Sequence, residues 1–199
     1  LVENKTNEGF AGGCNRGANH ANGKYLLFLN NDTTHAQNWI EPLVNQLEQD
    51  DSIAAVQPKI LNYFQRKLFD YAGGCGGHMD ILCFPFARGR IFLEQEIDTG
   101  QYNEVKNIFW ASGTAILVRK NLFEQVEKFD ETFFAHMEEI DLCWRFYMLG
   151  YSVLSEPSSI VYHKNAITLP MYSLKKYYLN HRNSLYMLCS NYSIPLTVY

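Results

Sequence analysis

The chain has 199 residues, of which 47% are hydrophobic, 19% charged and 15% aromatic, with 13 Gly and 6 Pro. These values exclude a disordered, collagen-like or low-complexity chain and suit a single domain over residues 1–199. Lys and Arg number 17 against 21 Asp and Glu, a net charge of −4 without a basic block, which argues against a nucleic-acid partner held by phosphate electrostatics.

The chain opens at Leu1, not Met, on a polar segment that is no signal peptide, so it is expected to begin inside a longer protein. Residues 7–23 are Gly-rich and polar, a stretch whose backbone could approach a nucleotide closely, although neither GxGxxG nor GxxxxGK[ST] occurs. Lys24 to Leu29 is a short, continuous apolar run, expected as a strand buried on both faces of a parallel sheet. Trp39, Ile40, Leu43, Val44 and Leu47 then recur at helical spacing, predicting a helix over 36–49, and 53–57 reads as a second strand. Strand–helix–strand order predicts an α/β domain.

Residues 60–108 are irregular, with Gly73-Gly74 and Gly76-Gly77, and predict loops around a hairpin. A strand is expected over 113–119, a short helix over 120–127, and a loop with aromatic anchors over 129–134. A strong helical pattern covers 137–149 and stops at Gly150. Two short strands, 151–154 and 159–162, lead to His163, and a Tyr-rich helix with Lys175, Lys176, His181 and Arg182 is expected over 170–190. The five cysteines are odd in number, widely spaced and without a CxxC, as expected of reduced thiols in a reducing compartment, so a cytoplasmic location is expected.

Three positions invite chemistry. Asp32 follows a buried strand, where ligands of open α/β sheets bind, and a carboxylate there suits Mg2+ or Mn2+; helix capping explains it as well. Glu138, Glu139 and Asp141 open a helix, either as macrodipole partners or with one as a general base, and Arg145 can pair with Asp141. His163 ends a strand and is either a bystander or a further metal ligand.

Taken together the segments resemble a family-2 glycosyltransferase of the rhamnosyltransferase-like branch. Asn7-Glu-Gly-Phe-Ala-Gly-Gly-Cys-Asn15-Arg-Gly17 resembles N-x-G-F-A-x-G-x-N-x-G. Leu29-Asn30-Asn31-Asp32 resembles the L-[DN]-x-D strand end. Phe129-Asp-Glu-Thr-Phe-Phe134 with Glu138-Glu139-Ile-Asp141-Leu-Cys-Trp-Arg145 resembles F-D-E-x-F-F followed by [ED]-[ED]-[VI]-D-L-x-x-R. Val161-Tyr162-His163 and the later Arg182-Asn183 complete the order.

The resemblance implies a GT-A fold with a mixed, mainly parallel sheet flanked by helices, a nucleotide-sugar donor and a divalent Mg2+ or Mn2+. It implies Asp32 and His163 as metal ligands, Glu139 as general base, and Glu138 and Asp141 as its support. Asn15, Gly13, Asn30 and Asn31 would face the donor, and Trp110 and Gly113 the acceptor, a saccharide or lipid-linked sugar of bacterial surface polysaccharide synthesis. Asn30 departs from the first Asp of the family's DxD-type motif. The family's opening strand has no counterpart before Leu1, so the chain reads as N-terminally truncated and the isolated segment is expected to turn over poorly. Competing readings are a metal-dependent phosphoester hydrolase built on Asp32, Glu138, Asp141 and His163, and a degenerate carbohydrate-binding or scaffolding domain. The C-terminal Tyr-and-basic helix either packs on the core or touches the inner face of a membrane peripherally.

Overall fold

The computed structural model describes residues 1–164 and 174–192. In chain order it has α1 (Gly9–His20), β1 (Tyr25–Leu29), β2 (Thr33–His35), α2 (Ile40–Gln49), β3 (Ile53–Asn62), β4 (Gly77–Met79), β5 (Pro85–Ala87), β6 (Arg90–Ile91), β7 (Glu94–Gln95), β8 (Lys106–Asn107), β9 (Ala115–Arg119), α3 (Lys120–Gln125), α4 (Glu138–Met148), β10 (Ser152–His163) and α5 (Leu174–Asn191). The central sheet runs β1-β9-β3-β10-β2, with β8 also paired to β10. The expected 170–190 helix starts at Leu174 within the described residues; 170–173 lie outside them.

The α/β architecture holds, but the sheet is not mainly parallel. Within it β3 and β10 pair in parallel, whereas β1–β9, β3–β9, β10–β2 and β10–β8 are antiparallel. A dense apolar run reports burial, not direction, so either pairing satisfies it. Nor is β1 buried on both faces: Leu26 and Phe28 are buried while Tyr25 and Leu27 are only partly covered. The two predicted C-terminal strands form one, β10, interrupted by a register shift between Glu156 and Ile160.

Alternation places successive strand residues on opposite faces. On one side Val56, Ile60, Leu117, Leu154 and Val161 pack under Leu43 and Leu47 of α2 and Trp39 just ahead of it. On the other, Ala55, Ile116, Val118 and Val153 meet Leu122 and Phe123 of α3 and Leu142 and Phe146 of α4. Phe28 and Phe123 each lie within 5.0–5.2 Å of Phe129 by ring centroid, pinning the loop before α4. Truncating a buried Phe of such a cluster costs roughly 3–5 kcal/mol.

Most of the Gly-rich 7–23 stretch is α1. Gly9 is the residue that permits this. Its φ is +73°, and a Cβ there would lie 2.2 Å from the carbonyl oxygen of Phe134, which accepts the Phe10 amide at 2.7 Å. Residues 60–108 hold two short hairpins, β4–β5 and β6–β7. Among the described residues no helix is long and apolar enough to cross a membrane.

Candidate active site

Strand register brings the distant motifs to one edge. β1 runs out at Leu29, opposite Ala115, and the next amide, of Asn30, donates to Thr114 O at 2.9 Å. β10 ends at His163, opposite Thr33, and the Lys164 amide donates to Asp32 O at 3.1 Å. Asp32 and His163 thus meet at the carboxyl ends of β1 and β10, where ligands of such sheets bind.

There a cavity of about 310 Å³ has Asn30, Asn31, Asp32, Gly113, Glu138, Glu139 and His163 in its lining, along with Ala72, His136 and Lys176 among others. Two larger clefts hold no imidazole: one lies around Lys24 and Arg119, the other around Asn15 and Arg145.

His163 is buried and held from both sides. Its Nε2 is 3.1 Å from Asp32 Oδ1, and its Nδ1 is 3.1 Å from Oδ1 of Asp70. Burial pulls the imidazole pKa down, but the hydrogen bond to Asp70 and the charges of Asp70 and Asp32 outweigh it and raise the value above the usual range. Asp70 is fully buried, and its Oδ2 accepts the Ala72 amide at 2.9 Å. Sequence reasoning missed Asp70: an acid in an irregular Gly-rich segment carries no spacing signal.

Across the cavity the start of α4 presents two carboxyl groups. Glu138 Oε2 and Glu139 Oε2 are both sealed from solvent without a hydrogen-bond partner, as is His136 Nε2. Burial pushes the Glu139 carboxyl up to about 7, against the pull of backbone amides at the helix start. Burial, then the charge of Glu139, pushes Glu138 well above the carboxylate range. The turn leading in is strained: Phe134, His136 and Met137 have φ of 62°, 71° and 76°. It is held by α5. The Nδ2 of the fully buried Asn183 lies 2.6–2.9 Å from the carbonyls of Phe133, Ala135 and His136, and Arg182 donates to Thr132 O and Phe133 O. The Arg182-Asn183 pair, noted in sequence without a role, is therefore a brace for that turn.

Four expected site residues stand elsewhere. Asn15 is spent on the protein: it donates to Phe129 O at 2.8 Å and Glu131 Oε1 at 3.0 Å and accepts the Phe129 amide. It latches α1 to the F-D-E loop and does not line the cavity. Gly13 sits on α1, also outside the cavity. Trp110 is a buried wedge whose Nε1 donates to His78 O, and a Cβ on Gly77 would lie 2.2 Å from its indole. Asp141 turns away, bound to Arg145 at 2.6 Å and to Asn191 at 2.6 Å. It lines the cleft around Asn15 and Arg145 and not this cavity, which removes one ligand from the hydrolase set, and among the described residues no three or more His, Cys, Asp or Glu stand as a metal cage. The cysteines are free, and burial pushes the thiols of Cys14, Cys75 and Cys143 up to about 12, making them inert.

The chain is similar to known proteins over much of its length. The chain is 25% identical over 173 residues to the pre-mycofactocin glycosyltransferase of Mycobacterium tuberculosis, covering 85% of this chain and 33% of that protein. It is 42% identical over 57 residues to the N-acetylglucosaminyl-diphospho-decaprenol L-rhamnosyltransferase of the same organism, covering 29% of this chain and 19% of that one. It spans a third or less of these relatives. The fold superposes on the crystal structure of GalNAc-T7 with UDP, GalNAc and Mn2+ with a TM-score of 0.68 at 18% identity, over 94% of this chain and 35% of that chain. It is thus the α/β fold with a mixed, helix-flanked sheet seen in GT-A glycosyltransferases. The family model for glycosyl transferase family 2 matches residues 1–127, and the chain belongs to that family.

Proposed function

We propose that this domain is the metal-dependent, inverting sugar-transfer unit of a glycosyltransferase that uses a nucleotide-sugar donor and a saccharide or lipid-linked acceptor, in bacterial surface polysaccharide synthesis. One observation carries the reading: Asp32, His163 and Glu139, far apart in sequence, line the same cavity.

The donor set fits a divalent cation. Asp32 offers a hard carboxylate, and His163 offers Nε2 while its Nδ1 is engaged by Asp70, the usual carboxylate–histidine arrangement behind a metal. Two protein ligands suffice for Mg2+ or Mn2+, which complete their shells with phosphate oxygens and water. A bound cation would neutralise the charge that grows on the departing nucleoside diphosphate.

The chain's own residues do the rest. Asn30 and Asn31 present polar groups to the donor beside Asp32, and Gly113 leaves room for the acceptor, with Phe10 3.3 Å from where a Cβ would stand. Glu139 Oε2, dry and unpartnered, takes the proton of the acceptor hydroxyl as its oxygen attacks the anomeric carbon from the face opposite the leaving group. A carboxylate poised near pH 7 is a better match to that task than one at its ordinary value. Burial and the neighbouring Glu139 push the Glu138 carboxyl well above its ordinary range, which disfavours a second buried charge beside it.

Transfer assays with Mn2+ and a panel of nucleotide-sugar donors test the reading. Product of inverted anomeric configuration, lost in Glu139→Gln, supports it. Transfer that persists in Glu139→Gln, or a product of retained configuration, would overturn it.

A further inference from the structure

Asp70 is the second carboxylate on His163, and none of the motif matches includes it. It lies at the end of the loop after β3, with its amide donating to Ile60 O at 2.9 Å and its side chain fully out of solvent. Its two oxygens have different duties. Oδ1 faces His163 Nδ1 at 3.1 Å, and Oδ2 accepts the Ala72 amide at 2.9 Å. The Ala72 amide can only donate, so Oδ2 is committed. An ionised carboxylate is acceptor-only, so Asp70 Oδ1 calls for a proton on Nδ1 and Asp32 Oδ1 for one on Nε2; Asp70 is sealed from solvent, whereas Asp32 borders the cavity, where a cation or water can take the place of the Nε2 proton, so the neutral ring keeps its proton on Nδ1. The ring is thereby turned with Nε2 toward Asp32 and the cavity, its lone pair available once its own proton is gone.

We propose that Asp70 is the positioning residue of the site: it selects the Nδ1–H form of His163 and aims Nε2 at the cation position, while its other oxygen ties that imidazole to the Ala72 wall of the same cavity. The inference rests on the metal-bearing reading of His163. It also explains why a carboxylate, and not an amide, stands at this position. Asparagine has one oxygen. If that oxygen stays on the Ala72 amide, the NH2 group faces Nδ1, which must then accept, and the proton moves to Nε2, where it blocks ligation. If the oxygen turns to Nδ1, the NH2 group faces the Ala72 amide and two donors collide.

The test uses the chain labelled with 15N at histidine, wild type and Asp70→Asn. Long-range 1H–15N spectra, at a pH where the ring is neutral, report which nitrogen of His163 carries the proton. Wild type is expected to show Nδ1–H and D70N to show Nε2–H or a mixture. Wild type with Nε2–H would overturn the proposal, and that result needs no variant to fold. Titration with Mn2+ alone, followed by paramagnetic broadening of the His163 signals, is expected to show about 10–100-fold weaker binding in D70N. Equal Mn2+ affinity in a folded D70N also overturns it. If Mn2+ leaves the wild-type His163 signals untouched, the metal reading beneath it fails, and the metal-free tautomer signal tells that failure apart from a failure of Asp70.

Discussion

His163 Nε2 lies 3.1 Å from Asp32 Oδ1, although one residue ends β10 and the other follows β1. Two elements that are not neighbours in the sheet converge here because β2 folds back against β10, with Thr33 opposite His163. The contact gives the strand-end carboxylate a specific partner, which capping of α2 would not require. Asp32→Ala is expected to lower Mn2+-dependent transfer by about 10²–10³-fold, the scale of losing one electrostatic stabiliser of the leaving group. Asp32 is mostly buried against His163, so D32A is also expected to lose a few degrees of melting temperature, a loss too small to unfold it at assay temperature. An unchanged transfer rate in D32A would remove the metal assignment.

Glu139 sets the pH profile. Its carboxyl is pushed up to about 7, and the base form is the deprotonated one. The pH dependence of kcat/KM should therefore rise through about 7 and level off above it, not near the ordinary carboxylate value. Glu139→Gln should cost about 10²–10⁴-fold and erase that limb. A limb that survives the substitution would assign the base elsewhere.

Glu138 should trade stability for site chemistry. An acid whose folded pKa is raised favours folding in its protonated form, so this contribution is complete below the unfolded value of 4.5 and is lost as pH rises toward the folded value. Glu138→Gln cannot ionise. Its stability relative to wild type should therefore improve from pH 5 to pH 8 in urea unfolding. A difference that does not change with pH would show that burial exerts no such pressure.

Asn183 braces the strained turn before α4 through the carbonyls of Phe133, Ala135 and His136. Asn183→Ala leaves these groups unpaired and should destabilise by about 2–4 kcal/mol. Transfer should fall further than stability predicts at temperatures where the variant is folded, because Glu139 follows that turn. Transfer at the wild-type rate by folded N183A would limit Asn183 to a structural part.

The face of α5 opposite its buried Leu179, Asn183 and Met187 carries exposed Leu174, Tyr178 and Leu185, which fall within about 40° of one another on a helical wheel. This stripe, with Lys175 on the same helix, is expected to touch an anionic membrane peripherally. Co-sedimentation with phosphatidylglycerol vesicles is expected to drop several-fold when all three are changed to Ser. Equal binding by that variant would leave the helix as a brace alone.

Chain order, most element positions and the family were legible in the sequence. Periodicity marks which face of a segment is buried, so the stripe of α2, the α4 helix up to Gly150 and the apolar runs of β1 and β9 could be read directly. The positions of Asp32, Glu139 and His163 at two strand ends and a helix start were legible, and the structure lines one cavity with them. Tertiary structure decided the partners. Burial says nothing of strand direction, so the sheet became largely antiparallel. A motif residue can serve the fold as readily as the ligand, so Asn15 latched a loop and Trp110 wedged a glycine segment. Asp70 became the partner of His163 because β3 and β10 run side by side, and that meeting, a contact across the fold, has no trace in local spacing.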